Sequence, residues 1–143
     1  MKKLFFISIV TVLTAMFFSC NNDNDSIVGN WQFSSFDFDV VADNPEHTLQ
    51  ARQILNNWRL AIDDIQLSFD NNGEFSEIRT TTGQRHTRGG RYNLNDGVLR
   101  KNGQIVPHSL SNNRLTIHHT PNEFGLGSIT FTRFIVTTTY IRR

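Results

Sequence analysis

From residue 65 to its end the chain alternates short strand-like stretches with turn signals about every ten residues, and this rhythm limits it to a β-sandwich or a β-barrel. Ile65, Leu67 and Phe69 alternate on one face before Asp70, Asn71, Asn72 and Gly73 turn the chain. Further strands are expected over residues 74–82, 85–94, 98–100, 104–110, 114–120 and 128–142. They are punctuated by Gly83 and Gln84, by Asn95, Asp96 and Gly97, by Asn102 and Gly103, by Asn112 and Asn113, and by a loop at 121–127. An opening strand from residue 27 makes the count eight. In it Trp31 and Phe33 share one face, but Phe36, Phe38 and Val40 share the other, so a bulge at Ser34 and Ser35 is needed to return all five to one core. Asn44 then caps a helix with Pro45 at its first position, and Ala51, Ile54, Leu55, Trp58, Ile62 and Ile65 form its apolar stripe. The expected architecture is all-β with one helix: an eight-stranded antiparallel up-and-down barrel, the helix lying between strands one and two.

The other end of the chain carries an address. Lys2 and Lys3 precede an uncharged apolar run at 4–18, followed by Ser19 and Cys20, the one cysteine in the sequence. The run is shorter than the ~20 residues that span a bilayer, which favours a cleaved export signal over a membrane helix. The ending resembles that of bacterial lipoproteins, in which a small residue precedes the lipid-modified cysteine. The resemblance implies a signal peptide at 1–19, a lipidated tether at 20–26 and a folded domain at 27–143. It places the protein in the cell envelope, as an outer-membrane lipoprotein facing periplasm or surface and held to the membrane by palmitate-type acylation of Cys20. The tether, Asn21 to Ser26 with Asp23 and Asp25, also resembles the acidic export tag of surface-displayed lipoproteins of some Gram-negative bacteria.

Loss of residues 1–19 from 143 leaves 124, enough for one domain with one core. Lys2 and Lys3 leave with the signal, so the mature chain counts 12 basic against 13 acidic residues, and general attraction to nucleic acid is not expected. With Cys20 committed to lipid, no disulfide forms in the mature monomer. Eleven of the 12 basic residues are arginine, Lys101 being the exception, and arginine suits forked recognition of carboxylate or phosphate.

Gly29, Asn30 and Trp31 look like the glycine-any-tryptophan signature that opens lipocalins. Leu67, Phe69, Asn72, Gly73 and Phe75, then Gly90, Arg91 and Tyr92, then Leu110, Leu115 and Ile117, then Tyr140 and Arg142, resemble the lipocalin-like domain family of bacterial lipoproteins. That resemblance implies a ligand-binding barrel. It also implies that Arg142 or Arg143 packs over Trp31 through a cation–π contact and so closes the barrel.

Catalytic patterns are weak. His47, His86, His108, His118 and His119 lack the helical spacing of a zinc enzyme, so neither metal nor cofactor is expected. Asp63 and Asp64 are adjacent at the expected helix end and diverge, and Gly125–Leu126–Gly127 lacks the strand and helix of a phosphate cradle. Hairpin pairing says more. A two-residue turn at Asn112 and Asn113 sets Leu110 against Leu115, His108 against Ile117 and Val106 against His119, which points both histidines inward. A turn at Gly83 and Gln84 sets Phe75 against Tyr92, Glu77 against Gly90 and Arg79 against Arg88. Two facing arginines need a counter-charge, supplied by Glu77 or by an anionic ligand. The reading that follows is a non-catalytic barrel binding a small, anionic molecule through Arg79, Arg88, Tyr92, His108 and His119. The alternative is a protein-interaction accessory, an inhibitor or envelope assembly factor, that uses its outer surface and the loop at 121–128 with Phe124 and Leu126.

Overall fold

The computed structural model describes residues 26–143 except residue 112. The expected signal peptide, Cys20 and the expected tether up to residue 25 lie outside the described residues. Nine strands are present among the described residues: β1 (Gly29–Ala42), β2 (Ile62–Phe69), β3 (Glu74–Thr81), β4 (Gln84–Asn95), β5 (Val98–Lys101), β6 (Gln104–Ile105), β7 (His108–Ser111), β8 (Arg114–His118) and β9 (Phe131–Arg142). One helix, α1 (Pro45–Ala61), stands between β1 and β2. All pairings are antiparallel, in the order β6-β5-β4-β3-β2-β1-β9-β8-β7.

The eight-strand expectation is corrected to nine, and proline is the cause. Residues 104–110 were expected as one strand, but Pro107 has no N–H to give a ladder, so the segment breaks into β6 and β7. Val106 N–H donates to Leu99 of β5, while the Pro107 carbonyl accepts from His118 of β8, at 2.9 and 2.8 Å. The two outermost strands of the sheet are thus consecutive pieces of chain turning one corner. The sheet curls until its ends meet there covalently, with no ladder between β6 and β7.

In β1 the register against β9 slips between Phe33 and Ser35. This bulge brings Trp31, Phe36 and Val40 to the buried side, with Phe33 and Phe38 half-buried beside them. Asn44 Oδ1 accepts from the His47 N–H at 2.8 Å, capping α1, and Ala51 and Leu55 are its buried residues. The helix ends at Ala61. Ile62 and Ile65, expected on its stripe, belong to β2, where Ile65, Leu67 and Phe69 alternate inward against β3. Asp63 and Asp64 are accordingly strand residues. Asp63 accepts from the Gly83 N–H at 2.7 Å, and Asp64 accepts from the side chains of Gln32 and Gln66.

The inner face is packed by two clusters. One gathers Trp31, Leu67, Phe69, Phe75, Leu99, Leu115 and Tyr140. The other joins Phe36, Val40 and Val136 to Ala51 and Leu55 of α1 and to Phe124 and Leu126. Phe33 and Ile62 touch both. The loop after β8 folds as a 3-10 turn at Pro121–Phe124, and β9 begins at Phe131, three residues later than expected, because the loop uses its apolar residues to cap the second cluster.

Candidate functional site

The hairpin joining β3 to β4 turns at Thr82 and Gly83, both at positive φ (48° and 77°), not at Gly83 and Gln84. Two docking contacts fix that position. The Thr82 N–H donates to the last helical carbonyl, Ala61, at 3.1 Å, and the Gly83 N–H to Asp63. Pairing therefore shifts by two residues from the expected register, to Phe75 with Gly90, Glu77 with Arg88 and Arg79 with His86. A two-residue shift preserves the face of every side chain. Arg79 and Arg88 still share a face with Glu77, but they are not opposite one another.

Glu77 is the centre of the group. Only 3% exposed, it meets Arg88 Nη2 at 2.8 Å, Arg79 Nη2 at 3.2 Å and Lys101 Nζ at 3.4 Å. Burial pushes its carboxyl up, but the hydrogen bond from Arg88 and the charges of Lys101, Arg88 and Arg79 outweigh burial and hold it below the ordinary range. Burial pushes the Lys101 ammonium down, and Glu77 only partly restores it. Three cations thus surround one carboxylate. Among the described residues no second carboxylate lies within 4.0 Å of Arg79, Arg88 or Lys101, so two positive charges lack a close counter-charge. The Arg79 Nε is buried with no hydrogen-bond partner. The site opens outward by degrees: Lys101 is 13% exposed and lies 4.3 Å over the Phe75 ring, Arg79 is 25% exposed and 5.7 Å from Trp58, and Arg88 is 66% exposed.

Lys101 was missed in the sequence. The same hairpin pairing reaches it: a turn at Asp96 and Gly97 sets Tyr92 against Lys101, on the inner face with Glu77. The other expected ligand residues stand apart. Tyr92 packs edge-on against Phe69, and its hydroxyl donates to the Asp70 carbonyl, so its polar end is committed to the β2–β3 turn. His108 faces Ile117 as expected, with Nδ1 3.2 Å from the Val106 carbonyl. His119 does not face Val106, because the ladder breaks at Pro107; it lies beyond β8, against Phe36 and Phe124 of the second cluster.

His119 does join a relay. Its Nδ1 is 2.8 Å from Glu123 Oε2 and its Nε2 2.7 Å from the Thr138 hydroxyl. Since a carboxylate only accepts, Nδ1 carries the proton, and Nε2 shares a hydrogen bond with the Thr138 hydroxyl. This has the connectivity of a nucleophilic site. Thr138, however, is 3% exposed and sits mid-ladder between Phe36 and Ile117, where no acyl group can approach. The relay instead fastens the capping loop to β9. No group of three or more candidate metal ligands occurs among the described residues.

On β1, in the same cross-strand row as Leu67 and Glu77, Trp31 is 1% exposed, its Nε1 donating to the Ile27 carbonyl at 2.8 Å, and the Arg142 guanidinium lies 4.6 Å from its ring centroid. Arg142 also donates to the carbonyls of Val28 and Ser26. Gly29 has φ +137°, and a Cβ there would stand 3.3 Å from the Arg142 Nη1. The opening glycine thus gives the arginine access to the tryptophan face. Two surface grooves, of about 380 and about 310 Å3, lie at Val41–Arg52 and around Gln32, Gln66 and Arg143; neither includes a residue of the Glu77 cluster.

No family model matches the chain, and no curated protein matches it. Among solved structures it is similar to fatty-acid-binding protein 1 of Echinococcus granulosus, at 9% sequence identity and a TM-score of 0.44, over 81% of this chain and 96% of that one.

Proposed function

We propose that the protein is a lipid-anchored envelope lipoprotein with a non-catalytic, lipocalin-like domain that binds a small anion at the Glu77 cluster. The observation that carries this reading is the charge imbalance at Glu77, one buried carboxylate among three cations, with the Arg79 Nε unpartnered. A carboxylate or phosphate head would complete the group through charge-assisted hydrogen bonds from the arginines. The packed inner face argues for a ligand seated at the mouth, its head on Arg79 and Arg88, rather than deep within. Tyr92 and His108 then support the wall, and His119 holds the capping loop.

A thermal-shift screen of the full chain in detergent with fatty acids, sugar phosphates and bile-acid-like carboxylates tests the reading. A ligand at a hundred times its dissociation constant adds about 2.7 kcal/mol of stability, and Arg79→Ala should remove the shift. Equal shifts in wild type and Arg79→Ala would place the ligand elsewhere. No shift with any anion would leave Glu77 as the sufficient counter-charge. The partner-binding alternative gains nothing from the loop, whose Phe124 and Leu126 are buried. What favours a partner is a stretch of β4 whose outer edge is open.

A further inference from the structure

β4 is paired along its whole length, but not on both sides. Gln84 to Arg91 pair with β3, in a register without slips, whereas β5 pairs only with Tyr92 to Asn95. β5 is short because Asn102 and Gly103 turn the chain away into β6. The other side of β4 from Gln84 to Gly89 is therefore an open edge, and all six residues are exposed.

The direction of the backbone groups along this edge is fixed by their neighbours. At Arg91 both groups point away from β3: its N–H donates to Asn102 Oδ1 at 3.0 Å, and its carbonyl accepts from the Asn102 N–H at 2.8 Å. The next N–H, on Tyr92, points toward the β3 side, donating to Gly73 at 2.8 Å. Alternation then turns the N–H and C=O of Arg85, Thr87 and Gly89 to the open side. These three residues present a row of donors and acceptors of the kind that templates an added strand.

The edge has a charge as well. Arg85 and Arg91 share one face of β4, and His86 and Arg88 share the other. A second copy of the same edge would meet these charges with like charges, so pairing of the protein with itself is opposed. An acidic strand would be matched on the outer face by Arg85 and Arg91, Arg88 being held by Glu77 on the inner face.

We propose that the open edge of β4, from Gln84 to Gly89, is an interaction surface that takes an extended acidic peptide segment by strand addition, with Arg85 and Arg91 on its outer face receiving the carboxylates. Backbone pairing at Arg85, Thr87 and Gly89 supplies affinity, and Arg85 and Arg91 select the partner. The surface is separate from the anion reading, which concerns side chains on the inner face alone.

The test uses the full-length chain in mild detergent and a fluorescent peptide of about eight residues alternating Glu and Thr. Fluorescence polarisation should show saturable binding. Thr87→Pro removes an N–H that faces the open side without breaking the β3 ladder, and it should weaken binding about tenfold. The double variant Arg85→Gln, Arg91→Gln should weaken it and flatten its salt dependence. The same peptide, N-methylated at alternate residues, keeps every charge and cannot pair, and it guards against a Thr87→Pro variant that folds poorly. Equal affinity for the methylated peptide would overturn the proposal in favour of plain charge attraction. No binding at low salt would overturn it too, as would a dimer of the protein alone that Thr87→Pro dissociates.

Discussion

Replacing Glu77 by glutamine keeps the volume of the side chain and deletes the one negative charge among Arg79, Arg88 and Lys101. The cost is set by how far each partner can escape to water. Arg88, two-thirds exposed, rehydrates and loses little. Lys101, 13% exposed, cannot, and is left as a buried charge beside a neutral amide. Removing one member of a buried pair costs ~3–5 kcal/mol, and the partial exposure of Arg79 and Arg88 puts this case near ~3 kcal/mol. In a domain of this size that lowers Tm by roughly 10–15 °C. The pH profile carries a second signature. Because the folded-state carboxyl lies below its ordinary 4.5, its stabilisation is complete above that value and is lost as pH falls through the depressed folded value; Glu77→Gln should lack this acid limb. Lys101 has the opposite window. Its folded pKa is lowered from 10.5, so the cost of its charge is relieved as pH rises, and the variant should recover stability in alkali. Urea melts of wild type, Glu77→Gln, Lys101→Met and the double variant at several pH values give the coupling energy, expected at ~1–3 kcal/mol. A Glu77→Gln variant within ~0.5 kcal/mol of wild type at neutral pH, with its acid limb intact, would show the cluster to be solvated and refute the reasoning.

Trp31→Ala should cost ~3–5 kcal/mol in chemical denaturation, as large aromatic deletions from cores do; Gly29→Ala should cost ~1–3 kcal/mol, because alanine is strained at φ +137° and crowds Arg142. A loss under ~1 kcal/mol in Trp31→Ala would remove the indole from the core. Expressed with its own signal in a Gram-negative host, the protein should fractionate with membranes and incorporate labelled palmitate, and Cys20→Ser should abolish the label. Unlabelled wild-type protein in the soluble periplasm would refute the anchor.

Local signals in the sequence are legible where a single residue decides the geometry. The phase change around Ser34 and Ser35 became a bulge, Asn44 and Pro45 opened the helix, and Leu110 met Leu115 across their turn. The sequence is ambiguous where two neighbours compete for a residue. Ile62 and Ile65 fit a helical stripe and a strand equally well, and pairing with β3 decided between them. Thr82 accepts a left-handed conformation that its sequence does not advertise, since Ala61 and Asp63 receive the turn's two N–H groups. Pro107 was visible all along, but the corner it makes is apparent only when β5 and β8 stand on either side of it. The Glu77 site was half legible: the two arginines came from alternation, and Lys101 required pairing to be carried through the next turn.

The ladder between β1 and β9 has a consequence for how the protein is made. Eleven residues of β1 are aligned against β9 and four against β2, so the first strand of the domain is chiefly the partner of the last. Contacts this distant along the chain slow folding, because the loop between them must close before they contribute. As the chain emerges from a ribosome, Phe36 and Val40 have no sheet partner until residues 131–142 arrive. Completion is therefore a late, all-chain event. The early strands form an apolar surface in waiting, exposed to any chaperone or aggregate that reaches it first.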